Sequence, residues 1–164
     1  MTETDKSDVE LRDRAWELAQ SIGTCMLITW DGERQRARPM AATVRKDERA
    51  IYFLTDKNSA KVMQARAFPM VSASFADAGG NKFVTMTGVA TVEDDRTKIK
   101  DLWTPFAKAW WSSSDDPSIR LIAIKPDDAE LWDSPGKLVA SVVMLAAAVT
   151  GKTPSLGDTA KVGL

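Results

Sequence analysis

The sequence predicts one mainly β domain with flanking helices, its strands closed or partly closed into a barrel. Three observations carry this expectation. Six β-type segments, at about 24–30, 36–45, 51–55, 70–77, 82–93 and 119–132, follow one another at short intervals. Turn residues separate them, notably Asp31-Gly32 and Gly79-Gly80-Asn81. Helical periodicity is confined to the start of the chain, two short internal stretches and the C-terminal part, so helices cover barrel openings or edges.

Taken in order, Ser7-Asp8-Val9-Glu10 has the spacing of a capping box, in which each side chain satisfies a free backbone donor of a starting helix. Leu11, Ala15, Leu18 and Ile22 then recur on one helical face, and Gly23 ends the helix. The run 24–30 reads as a buried strand. Segments 71–75 and 83–87 both alternate, and Gly79-Gly80-Asn81 between them is expected to supply the positive φ angles of a hairpin. Short helices are expected at 59–67 and 96–103, the second resuming before Trp111. Residues 138–149 are apolar throughout, but twelve residues fall short of the ~20 that cross a bilayer, so they predict a packed helix, with a subunit interface as one place for it. Asp133-Ser134-Pro135-Gly136 and Thr150-Gly151-Lys152-Thr153-Pro154 read as turns. Residues 1–164 form one domain without internal repeats, and 1–6 are expected to be disordered.

Composition excludes several functions. With 22 Lys+Arg against 23 Asp+Glu, the 164-residue chain has no basic excess to attract nucleic acid or an anionic membrane, and neither is expected as a partner. It contains no histidine, which removes Ser-His triads, most zinc sites and imidazole acid/base chemistry. A single cysteine, Cys25, forms no internal disulfide and reads as a buried structural thiol. The first ten residues lack the charged and apolar regions of a secretory signal, so a cytoplasmic location is expected.

Chemistry concentrates in residues 51–61, a strand passing through a polar turn into a helix. Unpaired N–H groups of a first helical turn, the positive end of its dipole, the Ser59 hydroxyl and the Lys61 ammonium together suit a phosphate. The same residues also read as a helix capped by Asp56 or Asn58 with a solvated lysine. Arg38, upstream of an adjacent strand, could reach an anion at that helix start, because its forked donors match phosphate oxygens. Small Ala41 and Ala42 leave room for a flat ring. An edge strand with solvated arginines, its pairing blocked by Pro39, is the competing account.

The ordered set Arg38-Pro39-Met40, Tyr52-Phe53-Leu54-Thr55, Ser59-Ala60-Lys61, Gly88 and Glu130-Leu131-Trp132-Asp133 resembles the pyridoxamine 5'-phosphate oxidase-like split-barrel superfamily, and within it the bacterial general stress protein subfamily. The resemblance extends to the Gly-rich, Lys-Val-x-Leu ending of residues 151–164. It implies a six-stranded split β-barrel homodimer with FMN at each subunit interface. On that basis Lys61 and Ser59, helped by Arg38, would hold the flavin phosphate. Thr55 and Leu54 would contact the flavin, Met40 and Ala41 would border the isoalloxazine, and Trp132 would approach the flavin of the other subunit or serve as a core residue. Trp110-Trp111 stand where the subfamily commonly has Trp-Phe near the dimer interface, while Trp103 reads as helix packing. Ser112-Ser113-Ser114 replaces the usual loop, and Asp115-Asp116-Pro117 reads as a turn or cap.

True pyridoxamine phosphate oxidases carry an Arg-x-His-Asp-Arg type segment after the tryptophan. Here the chain has Asp133-Ser134-Pro135-Gly136-Lys137-Leu138, so pyridoxal phosphate synthesis is not expected. The resemblance implies an FMN-binding general stress-type flavoprotein, an oxidoreductase of unknown substrate with a nicotinamide as electron donor. The alternative is a flavin-binding module for storage, delivery or sensing, without turnover. A deazaflavin or another planar, phosphate-bearing cofactor would use the same anion contacts.

Overall fold

The computed structural model describes residues 7–135, 137–151, 153–154 and 157–164. The expected disorder of 1–6 and the turn residues Gly136 and Lys152 lie outside the described residues. Along the chain run α1 (Asp8–Ile22), β1 (Thr24–Trp30), β2 (Gln35–Ala41), β3 (Thr43–Arg45), β4 (Ala50–Asp56), α2 (Ala60–Ala67), β5 (Met70–Asp77) and β6 (Lys82–Glu93). They are followed by α3 (Arg96–Asp101), a 3-10 turn (Pro105–Ala109), β7 (Ile119–Asp133), α4 (Lys137–Thr150) and β8 (Asp158–Gly163).

Local chemistry accounts for α1. The Ser7 hydroxyl accepts from Glu10 N at 3.3 Å and the Glu10 carboxylate accepts from Ser7 N at 2.8 Å, completing the capping box. Gly23 takes φ 70° and donates its N–H to Ala19 O, closing the last turn. Ala15, Trp16, Leu18 and Ala19 are the buried face, and Leu11 packs against it part-exposed. Removing the cap by Ser7→Ala is expected to lower stability by about 1 kcal/mol, read from a denaturant midpoint. An unchanged midpoint would mean that the first turn frays without consequence.

All six expected strands are present, and their order explains the barrel. The sheet runs β2-β1-β5-β6-β7-β4-β3, with β8 attached to β7. Its two edge strands, β2 and β3, are consecutive in the chain and joined through Ala42 alone. A sheet whose opposite edges are separated by one residue must curl until those edges meet. No ladder joins them among the described residues, so the barrel is split along that seam.

The single strand expected over 36–45 is therefore two. Ala41 pairs with Thr24 of β1, Thr43 pairs with Tyr52 of β4, and between them Ala42 N donates to Gly23 O at 2.8 Å. A continuous β pattern does not reveal that its two halves belong to opposite edges. The final strand β8 was not expected: only Ala160 and Val162 face inward, and its ladder on β7, from Asp128↔Gly163 to Asp133↔Asp158, is a long-range pairing.

The β5–β6 hairpin has the anticipated pairing, with Ala73 opposite Met86 and Phe75 opposite Val84. Its turn differs from expectation. Only Asn81 has a positive φ, at 55°. The Asp77 carboxylate accepts the Gly80 N–H at 2.8 Å, and a Cβ at Gly80 would make that carboxylate turn away.

The main core, including Leu27, Phe53, Phe75, Met86 and Leu131, fills the barrel beneath α1 and α2. A second cluster, Ile99, Leu102, Ile119 and Leu121, lies where α3 and the following segment cover β4 and β7, with Trp103 packed against it as expected. The first half of β7 is thus covered on both faces, which is why 119–124 reads as an almost continuous apolar run. The helix expected at 138–149 is α4. Val142, Met144, Leu145 and Val149 are exposed, so these side chains find no cover within the single chain. No helix of the described residues is long and apolar enough to cross a membrane.

Candidate functional site

A cavity of 660 Å³ opens at the seam of the split barrel. Residues 38–43 of the β2–β3 junction form one wall, and the outward side of β4 with Lys61 of α2 forms another. The segment 102–111, anchored by the second core cluster, supplies the third. The seam creates the opening because β2 and β3 part company at Ala42.

Arg38 enters this space from an edge strand, its head group fixed by neutral partners. It donates to Thr29 Oγ1 at 2.6 Å and to Gln64 Oε1 at 2.9 Å, while Thr29 Oγ1 itself donates to Gln64 Oε1 at 2.6 Å. Lys61 lies one turn before Gln64 on the same face of α2. Burial lowers the pKa values of both cations. Arg36 adds repulsion at Arg38, and Arg38 adds repulsion at Lys61, against which Asp56 attracts. Among the described residues neither Arg38 nor Lys61 has a carboxylate within ion-pair distance. Two part-buried cations without a counter-ion raise each other's free energy, and an anion between them would lower it.

The start of α2 adds to the positive field. Ser59 is its N-cap residue, yet no side chain caps the helix. The Ser59 hydroxyl instead lies 3.2 Å from Thr55 Oγ1, and the Asp56 carboxylate accepts from Asn58 N at 2.8 Å in the preceding turn. Ser59 N donates to Asp56 O and Val62 N to Ser59 O, both at 3.1 Å, so among the described residues the N–H groups of Ala60 and Lys61 are the first-turn donors that remain for an anion. The capped helix with a solvated lysine is not what the chain builds.

Of the sequence-predicted residues, Arg38, Met40, Ala41, Leu54, Thr55 and Lys61 line the one cavity. Ser59 does not line it but touches Thr55, which does. Trp132 is elsewhere: it pairs with Phe83 and Thr159, whereas Thr55 pairs with Arg120, twelve residues earlier on β7. Trp132 is not among the residues lining its own chain's cavity. It is exposed where β6 and β8 flank β7, so it is not the core residue that was the other expectation.

Thr29 and Gln64, which fix Arg38, were not anticipated. The signal for Gln64 was its spacing of three from Lys61; Thr29 had none, because its pairing opposite Arg36 on β2 is a matter of register. Phe106 and Tyr52 also line the cavity. The Tyr52 hydroxyl donates to Glu48 at 2.6 Å, and burial and that carboxylate raise its pKa.

Other candidates are structural. Asp116 accepts from Ser118 N at 2.8 Å and Asp115 pairs with Lys100 at 2.9 Å, which matches a turn. Cys25 is buried in the core and desolvation pushes its thiol up to about 12. Iodoacetamide is expected to leave the native thiol unmodified at neutral pH and to alkylate it after unfolding. Equal rates in both states would contradict its burial.

A family model described as pyridoxamine 5'-phosphate oxidase like matches residues 10–155. Among solved structures, a protein assigned as general stress protein 26 from Jannaschia sp. CCS1 superposes with TM-score 0.79 at 23% identity, over 96% of this chain and 100% of that one. General stress protein 26 from Bacillus anthracis str. Sterne gives TM-score 0.69 at 24% identity, covering 77% of this chain and 95% of its own. These two likenesses carry the fold. The general stress FMN/FAD binding protein from Xanthomonas citri gives TM-score 0.67 at 28% identity, over 76% and 89% of the two chains. No curated protein matches the chain.

Proposed function

We propose, because the chain belongs to the pyridoxamine 5'-phosphate oxidase-like family, that it is a general stress-type flavoprotein that binds FMN in the seam cavity and works as an oxidoreductase. The observation that carries this reading is the pair Arg38 and Lys61, two part-buried cations with no carboxylate in ion-pair contact among the described residues, beside the start of α2, which no side chain caps. A phosphate monoester has the charge and oxygens for that place. Met40, Ala41 and Leu54 give the same cavity an apolar wall for a flat ring system. The name of the Xanthomonas citri neighbour, an FMN/FAD binding protein, points the same way.

Bound flavin would supply hydride or single-electron transfer. The chain's own residues then bind, orient and exclude water. Arg38, Lys61 and Ser59 hold the phosphate end, and Thr55 and Leu54 position the ring. The chain has no histidine to act there as a proton shuttle, and the Cys25 thiol is buried. Pyridoxamine phosphate oxidation, which relies on a histidine-containing segment in true oxidases, is not part of the proposal.

The reading includes a homodimer. Trp132 does not line its own chain's cavity, and the exposed apolar side chains of α4 need cover that a second copy would provide. A nicotinamide is the proposed electron donor. The test is to add FMN to purified protein, desalt, and record the spectrum before and after NADH or NADPH. Stoichiometric flavin bands that bleach and recover with an acceptor support an oxidoreductase. Retained flavin that neither donor reduces would favour storage or sensing, and a colourless protein would sink the FMN assignment. A solution mass near 18 kDa, that of one chain, would sink the dimer.

A further inference from the structure

We infer that Gln64 sets the cavity's preference for a phosphorylated over an unphosphorylated flavin, as a positioning residue that orients Arg38 without neutralising it. The inference rests on the flavin reading above. Gln64 does not line the cavity and acts through Arg38, which does.

Every oxygen that meets the Arg38 guanidinium among the described residues is neutral. Nη1 donates to Thr29 Oγ1 at 2.6 Å and to Leu27 O at 3.5 Å, and Nη2 donates to Gln64 Oε1 at 2.9 Å. Gln64 Oε1 also accepts from the Thr29 hydroxyl at 2.6 Å, so one amide oxygen ties together two strands and a helix. Arginine offers donors only, which fixes the amide with its oxygen toward Arg38. The frame around this contact is fixed too: Thr29 is buried, and so are Val62 and Ala65 on either side of Gln64 in α2. The Nε–H of Arg38 and one N–H of Nη2, adjacent donors of a single fork, keep no partner among the described residues.

The carboxylates of the neighbouring turns are engaged elsewhere. Asp31, in the β1–β2 turn, accepts from Arg36 Nε at 2.5 Å and from Glu33 N and Arg34 N. Asp56, on the cavity wall, accepts from Asn58 N. The side chain best placed to neutralise Arg38 is therefore the one at position 64. A glutamate there would have nearly the same shape, would accept from the same two donors, and would form an ion pair with Arg38. Glutamine gives the same orientation and leaves the positive charge to the ligand. A phosphate gains from that charge, whereas the uncharged ribityl end of riboflavin does not.

Fluorescence titration of FMN and of riboflavin into the flavin-free wild-type protein, Gln64→Glu and Gln64→Met tests this. Gln64→Glu is expected to lower the FMN-over-riboflavin affinity ratio about tenfold, with riboflavin itself changed by no more than about twofold. Gln64→Met, which removes the acceptor and adds no charge, should lower the ratio less, by about threefold. An unchanged ratio in Gln64→Glu overturns the inference, as does a parallel loss of both flavins, which marks a merely structural side chain. A ratio that falls as far in Gln64→Met as in Gln64→Glu also overturns it, because charge would then be irrelevant. Should Gln64→Glu lack a cooperative thermal transition, Gln64→Met decides alone, and an unchanged ratio there overturns the inference. Equal affinities of the wild-type protein for FMN and riboflavin overturn the phosphate reading itself, and this inference with it.

Discussion

Replacing Gly88 by alanine is expected to lower stability by about 3 kcal/mol or more. Gly88 sits where the β6–β7 register shifts: Thr87 pairs with Asp128, but Gly88 pairs with Pro126. A Cβ there would stand 2.1 Å from Lys125 O and 2.5 Å from Pro126 Cα. Those atoms are backbone, so relief requires β7 to move away from β6 rather than a side chain to turn. The bulged residue, Asp127, uses its carbonyl to accept the N–H of Leu164 at 2.9 Å, so the displacement would reach the C-terminal anchor as well. Thermal unfolding should show the midpoint falling by roughly 6–12 °C. An unchanged midpoint would mean that the two strands are not as closely apposed as the register requires.

Lys61→Ala and Arg38→Ala are each expected to weaken FMN by about 1–3 kcal/mol, roughly 5- to 150-fold in Kd. The two differ in what remains. Among the described residues Lys61 has no side-chain hydrogen bond holding it, so its loss removes one charge and little else. Arg38 is clamped by Thr29 and Gln64, and its removal leaves the Thr29 hydroxyl and the Gln64 carbonyl without that donor. Arg38→Lys should recover only part of the affinity, because an ammonium cannot span both acceptors and still present a fork to the phosphate. Fluorescence titration of flavin into the wild-type and variant proteins measures the loss. Affinities that do not change in either single variant would move the phosphate elsewhere.

Much of this molecule was legible residue by residue. The capping box at Ser7 and the alternating hairpin strands are local patterns that the sequence carries by itself. The seam was not legible, because residues 36–45 form one β-type run and only the pairing partners of Ala41 and Thr43 show that the run changes edges. β8 was missed for a related reason: its stability comes from a ladder on β7 rather than from its own apolar pattern.

The same division applies to the site. Lys61, Ser59 and Thr55 lie close together in the chain, so a strand-turn-helix reading places them at once. Arg38 could be proposed from its chemistry, but its clamp by Thr29 and Gln64 depends on the register of β1 with β2 and on where α2 packs. Trp132 was expected to approach the flavin of the other subunit or to be a core residue; in the fold it is exposed on β7 and does not line its own chain's cavity.

The central claim is that the Arg38–Lys61 pair reads a phosphate. Riboflavin has the ring system of FMN and lacks that group, so titrating the flavin-free protein with each ligand isolates the phosphate contribution. The account predicts that FMN binds at least about tenfold more tightly than riboflavin, and that the difference shrinks in Lys61→Ala. Equal affinities for the two flavins in the wild-type protein would contradict it.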